Sequence, residues 1–309
     1  MNTRMAVRAA RRNLVSLAAT FVLLSASAGR VAAQATNESV PLDQVVVTAT
    51  RTPMPAGAVG SSVELFSGEE LAREQISSLG EALGGFAGAP AFTSGAPGAS
   101  MSLFLRGANS NQTLFLVDGL RLNDANTDYA VFLGGAGVSP SDNIEIVRGP
   151  QSTLYGGEAV GGVVAVRMRP GNGAPSASVA AEGGSFGTVQ GALSAEGTRK
   201  AWAYNAWVQS GRTDNQRPNN AFTGTSFALR LDRRVNSQLT LGATWRGFVG
   251  RYGSPGDRFT NDPDNQDREQ NQLATVFADY TVSPGWTGRV TLGGQDRRFV
   301  SDNPTPGQP

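Results

Sequence analysis

Between residues 176 and 296 the chain alternates apolar and polar positions almost residue by residue. Val189, Gly191, Leu193 and Ala195 fall on one face, and Gln190, Ala192, Ser194 and Glu196 on the other. Phe227, Leu229 and Leu231 oppose Ala228, Arg230 and Asp232; Leu239, Leu241, Ala243 and Trp245 oppose Thr240, Gly242, Thr244 and Arg246. Val290 and Leu292 likewise oppose Arg289 and Thr291. A period of two predicts long β-strands with one apolar face. A soluble sandwich also alternates, but its inner face would then have to bury Glu196, Arg230, Asp232, Arg246 and Arg289 at high cost. A water-filled lumen accepts those charges, so the pattern predicts a transmembrane β-barrel. Trp202, Tyr204, Trp245, Tyr280 and Trp286 share the apolar face near predicted strand ends, where aromatic girdles belong.

Short connections at 197–201, 235–237 and 283–285 alternate with longer ones at 211–224 and 248–270. Short turns face the periplasm and long loops the outside, which orients the strands. With a short external turn at 184–187 the pattern holds about seven strands, fewer than the roughly 8 a single-chain barrel needs. The sequence therefore predicts the front part of a longer barrel, with further strands after Pro309.

Residues 50–170 follow a different pattern. Ser67 to Glu70 and Ser78 to Glu81 each fit a capping box, in which serine and glutamate satisfy free helix N–H groups reciprocally. Leu71, Ile76, Leu79 and Leu83 make an apolar stripe, and Gly84-Gly85 a helix stop. Three apolar blocks come next: SLFLRG from Ser102, TLFLVDGLRLND from Thr113 and NIEIVRGPQSTLYGGEAVGGVVAV from Asn143. They read as short strands ending in Arg-Gly, Asp-Gly and Arg-Gly-Pro turns, which with two helices make an α+β domain.

The chain start reads as a secretory signal peptide. Arg4, Arg8, Arg11 and Arg12 precede an apolar run at 14–28 and then the small residues Val31, Ala32 and Ala33. The run is short of the ~20 residues a membrane-spanning helix requires. Taking the five arginines of the first 35 residues from the 26 basic residues leaves 21 against 25 acidic, a net charge of −4. That excludes the basic footprint of a nucleic-acid binder. The chain has no cysteine and no histidine, so there is no disulfide framework and no usual general base or commonest metal ligand. Gly183, Ser185 and Gly187 fit G-x-S-x-G, but without histidine and with a strand following, this is a hairpin turn and not a nucleophile elbow. Gly134, Gly135 and Gly137 lack the companions of a phosphate loop. Nothing assembles an acid–base pair, so no enzyme is expected.

In order and spacing, the three blocks closely resemble the plug domain of TonB-dependent outer-membrane receptors. The resemblance implies a plug inside a barrel of about 22 strands, truncated here. The domains it implies are a signal peptide at 1–35, a flexible lead with a TonB box at 36–49, a plug at 50–170 and the incomplete barrel at 171–309. Asp43, Gln44, Val45, Val46, Val47, Thr48 and Ala49 look like the TonB box, which pairs with the energy-transducing partner TonB by strand addition. Taken alone, this run also suits an ordinary edge strand. The glycine- and serine-rich loops at 92–100 and 123–138 stand where the family meets its ligand. The candidates there are Ser94, Gly95, Ser100, Asn123, Asp124, Asn126 and Tyr129.

The resemblance further implies an exported protein set in outer-membrane lipid, importing a small-molecule nutrient. Vitamin B12-like corrinoids and ferric siderophores are the candidate ligands, with no bound cofactor. Asp257, Asp262, Asp264 and Asp267 cluster in the longest loop, and cobalamin receptors of this family use calcium on external loops. These four are calcium candidates, although their spacing is not that of an EF-hand and acidic loops are commonly just solvated. The competing reading is a secreted β-rich binding or adhesion protein without TonB coupling, for which Val45 to Val47 would be dispensable.

Overall fold

A computed structural model describes residues 45–85, 90–93, 101–122, 136–256, 262–283 and 285–304. The first strand pair is β1 (Val45–Val46) with β2 (Met54–Pro55), antiparallel. A five-stranded sheet follows, built from β3 (Ser62–Ser67), β6 (Thr113–Val117), β7 (Leu120–Arg121), β8 (Asp142–Arg148) and β9 (Gly162–Met168) in the order β3-β8-β9-β6-β7. Only the β6–β9 pair is parallel. Separately, β4 (Ala91–Thr93) pairs with β5 (Met101–Leu103).

Every residue of β6 is buried because both faces of this sheet are covered. Phe115, Val117, Ile144, Ile146, Val164 and Val166 face α1 (Gly68–Arg73) and α2 (Leu79–Gly84), whose Leu71, Leu79 and Leu83 are fully enclosed. The alternate positions Leu114, Leu116, Val163 and Ala165 pack on Tyr155 of α3 (Ser152–Tyr155). Ser67 and Glu70 form the full capping box, and the Ser67 N–H and hydroxyl hold the Glu70 carboxyl below its ordinary range. At α2 the Ser78 hydroxyl accepts from the Glu81 N–H, but the Glu81 carboxylate reaches the N–H of Ser77 instead of closing a second box. The Asp-Gly turn after β6 has φ of 49° at Asp118 and 87° at Gly119, the two left-handed positions of a tight hairpin.

Seven antiparallel strands form the second sheet, each paired with its chain neighbours: β10 (Ser176–Gly183), β11 (Val189–Arg199), β12 (Trp202–Thr213), β13 (Phe222–Arg234), β14 (Leu239–Gly253), β15 (Gln266–Ser283) and β16 (Trp286–Asp302). The predicted facing is seen. Leu229, Leu241, Val290 and Leu292 are outward and exposed, whereas Ala228, Asp232 and Thr244 are inward and buried. G-x-S-x-G is the β10–β11 hairpin, with Phe186 and Gly187 at positive φ.

Two expectations are corrected. The connections at 211–224 and 248–270 are much shorter than the pattern suggested, because the ladder runs on to Thr213↔Phe222 and Gly253↔Gln266. Outside the apolar band the outward residues (Arg251, Arg268, Gln270) turn polar, so alternation disappears although backbone pairing continues. Trp245 lies in mid-strand, at the upper margin of that band, and not near a strand end.

Candidate functional site

The box segment is not a loose lead from Val45 onward. Beyond its short pairing with β2, its backbone is held by side chains of the α+β domain. One Glu145 oxygen accepts the N–H of Val47 at 3.1 Å and of Thr48 at 2.6 Å. The Tyr155 hydroxyl donates to the Thr48 carbonyl at 2.8 Å. A carboxylate and a phenol thus take the backbone groups that a neighbouring strand would take. Thr48 and Ala49 are buried, and burial pushes the Tyr155 phenol above the ordinary tyrosine range. The Arg51 guanidinium stacks 4.7 Å from the Tyr155 ring centroid. Thr48 Oγ1 has no hydrogen-bond partner among the described residues, which costs the packed segment some stability. Asp43 and Gln44 lie outside the described residues.

The same domain is bolted to the lumen face of the seven-stranded sheet. Arg246 of β14 donates twice to Asp142, at 3.0 and 2.6 Å, and once to Asp118 at 3.3 Å. Both acids also accept backbone N–H groups, Asp142 from Ser139 and Asp118 from Met168. Arg230 pairs with Asp232 and donates to the Met168 carbonyl at 2.6 Å. Arg169 bridges Glu196 of the wall and Glu69 of α1. Gly137 donates to Ser226 Oγ, and a Cβ there would stand 2.5 Å from the Trp207 ring, so only glycine lets the backbone this close. Between the box, the domain and the wall lies a cavity of about 500 Å³ lined by Arg51, Arg121, Arg167, Arg230 and Arg289.

The ligand candidates Ser94, Gly95, Ser100, Asn123, Asp124, Asn126 and Tyr129 lie outside the described residues, as does Asp257. Asp262 is structural in its contacts: its carboxylate accepts the N–H groups of Asp264 and Asn265 and the Asn303 amide. Among the described residues, no three acidic side chains gather as a metal site. Sequence reasoning missed Glu145, Tyr155, Asp118 and Asp142. Glu145 was detectable as an acid between Ile144 and Ile146, on the strand face opposite to theirs.

A compact α+β domain pinned to the charged face of an amphipathic strand wall is the arrangement of a plug seated against a β-barrel. Residues 55–163 match the family described as TonB-dependent Receptor Plug Domain, which identifies that segment as a plug domain of the kind TonB-dependent receptors carry. The chain is similar to the vitamin B12 transporter BtuB of Vibrio vulnificus, with 40% identity over 124 residues, 40% of this chain and 20% of that protein. BtuB of Vibrio cholerae serotype O1 is 27% identical over 275 residues, 85% of this chain and 44% of that one. The crystal structure of BauA, the ferric preacinetobactin receptor of Acinetobacter baumannii, superposes with a TM-score of 0.69 at 14% identity, over 82% of this chain and 40% of that one. That likeness concerns the fold alone. The chain spans less than half the length of these relatives.

Proposed function

We propose that this chain forms the plug and leading wall of a receptor that imports a scarce nutrient across the outer membrane, driven by TonB. The observation that carries the reading is the box, whose backbone groups are occupied by the side chains of Glu145 and Tyr155 next to a two-residue strand pairing. Such an arrangement can be exchanged for a partner strand, because β-addition uses the same N–H and C=O groups. Val46→Pro removes a backbone donor and fixes φ. In the full-length receptor it is expected to abolish uptake while whole-cell ligand binding persists, and normal uptake would refute the box.

For the cargo we favour a corrinoid, on the strength of sequence likeness to vitamin B12 transporters; ferric siderophores are the second reading, supported by the fold neighbours. The acidic tract with Asp262 and Asp264 adds a calcium-dependent version of the first. Calorimetry on the full-length receptor separates them. Cyanocobalamin is expected to bind, more tightly with millimolar calcium, and Asp262→Ala with Asp264→Ala to remove that gain. Binding of a ferric siderophore with no cobalamin binding would overturn the cargo and leave the receptor assignment standing.

A further inference from the structure

On the outer face of the wall, the strand register lines up Arg199, Trp202, Arg233, Leu241, Ala278 and Val290 in one row from β11 to β16. The next row toward the outside carries Leu231, Ala243, Val276 and Leu292. Small Ala243 and Ala278 floor an apolar groove of about 500 Å³, and Trp202 and Leu231 wall it on one side, Val290 and Leu292 on the other. At the mouth, the Arg233 guanidinium carbon lies 5.3 Å from the Trp202 ring centroid, and Arg199 flanks the same indole from the neighbouring strand. Lys200 and Arg234 are exposed beside them. None of these four cations has an ion-pair partner among the described residues.

Height in the bilayer follows from the aromatics. Trp202, Tyr280 and Trp286 are exposed at the short-turn end, where such rings mark the periplasmic interface. The row through Trp202 meets β15 at Ala278, above Tyr280, and β16 at Val290, above Trp286. It therefore climbs from the interface into the hydrocarbon, charged at the bottom and apolar along its length. Lone guanidinium groups at an interface attract phosphate, and the indole N–H adds a donor.

We propose that this row binds an anionic phospholipid of the periplasmic leaflet. Arg199 and Arg233 hold its phosphate on either side of Trp202, and one acyl chain lies in the groove over Ala243 and Ala278. The site depends on the wall spanning the outer membrane and is independent of TonB or the cargo.

The test is native mass spectrometry of the full-length receptor, extracted from outer membranes in mild detergent. Phosphatidylglycerol, phosphatidylethanolamine and lipid A are added in separate arms. Phosphatidylglycerol is expected to be retained in preference to phosphatidylethanolamine. Arg199→Gln with Arg233→Gln should weaken that retention by roughly 5-fold per arginine. Arg251→Gln with Arg268→Gln, a matched charge loss on the outer face at the long-loop end, should leave it unchanged. Ala278→Phe fills the groove with every charge intact and should also release the lipid, which covers the case of a misfolded double variant. Unchanged retention in either the arginine pair or Ala278→Phe overturns the site. Equal retention of phosphatidylethanolamine by the unaltered receptor, or lipid A as the species lost with the two arginines, overturns the assigned lipid.

Discussion

Glu145 sits between two buried isoleucines, and its carboxylate reaches out to accept the N–H groups of Val47 and Thr48. Glu145→Ala leaves both donors without this partner, at roughly 1.5–3 kcal/mol for a charged acceptor. A spin label at residue 46 should then become mobile without any ligand, and a label as immobile as in the unaltered receptor would exclude this latch. Tyr155 supplies a pH dependence with a definite sign. Its phenol donates to the Thr48 carbonyl, a bond that only the protonated form makes, and burial raises its pKa above the ordinary value of 10.0. The contribution is full below pH 10 and falls as pH rises from there toward the raised value. Label mobility should therefore increase only above about pH 10, and Tyr155→Phe should remove that dependence.

At the level of the element, the wall strands were legible and the anchors of the box were not. Alternation fixes which face meets lipid, since a period of two permits only two answers and charges rule out one. Val290→Arg, on the exposed face, is expected to destabilise the folded barrel by roughly 2–4 kcal/mol near the midplane. Thr291→Gln, facing the arginine-lined cavity, should change it little; equal effects in folding titrations would contradict the facing. Strand ends were misread where outward residues turn polar, because hydrogen bonding between backbones leaves no mark on side-chain pattern. The box's anchors were illegible for a related reason. Glu145 and Tyr155 lie 97 and 107 residues from the Thr48 atoms they bind, and sequence spacing carries no information about such pairs.

In the whole molecule, buried charge pairs join plug and wall beside an apolar contact of Met168 with Trp207 and Ala228. Arg246 is enclosed with two carboxylates, and removing it strands both in a buried setting, at roughly 3–5 kcal/mol. Arg246→Met should loosen the plug, seen as a lower denaturant midpoint for protease cleavage inside residues 113–168. Adding Asp142→Asn should recover part of the loss, since the pair is coupled; an unchanged midpoint in Arg246→Met would show that the triad does not hold the plug. The acids of this triad were hidden in the sequence as a turn residue and a strand-start residue, because their partner lies on another domain.

The β14–β15 ladder continues past the Trp245↔Ala274 row as far as Gly253↔Gln266, roughly 26 Å of extra strand. Asn219 donates to the carbonyls of Ser254, Asp262 and Asn265, lashing the tip to its neighbour. What rises from the membrane there is a stiff palisade. On the proposed function, a cargo arriving from outside meets one side of its funnel already standing, and the entropy of ordering that stretch was spent when the protein folded.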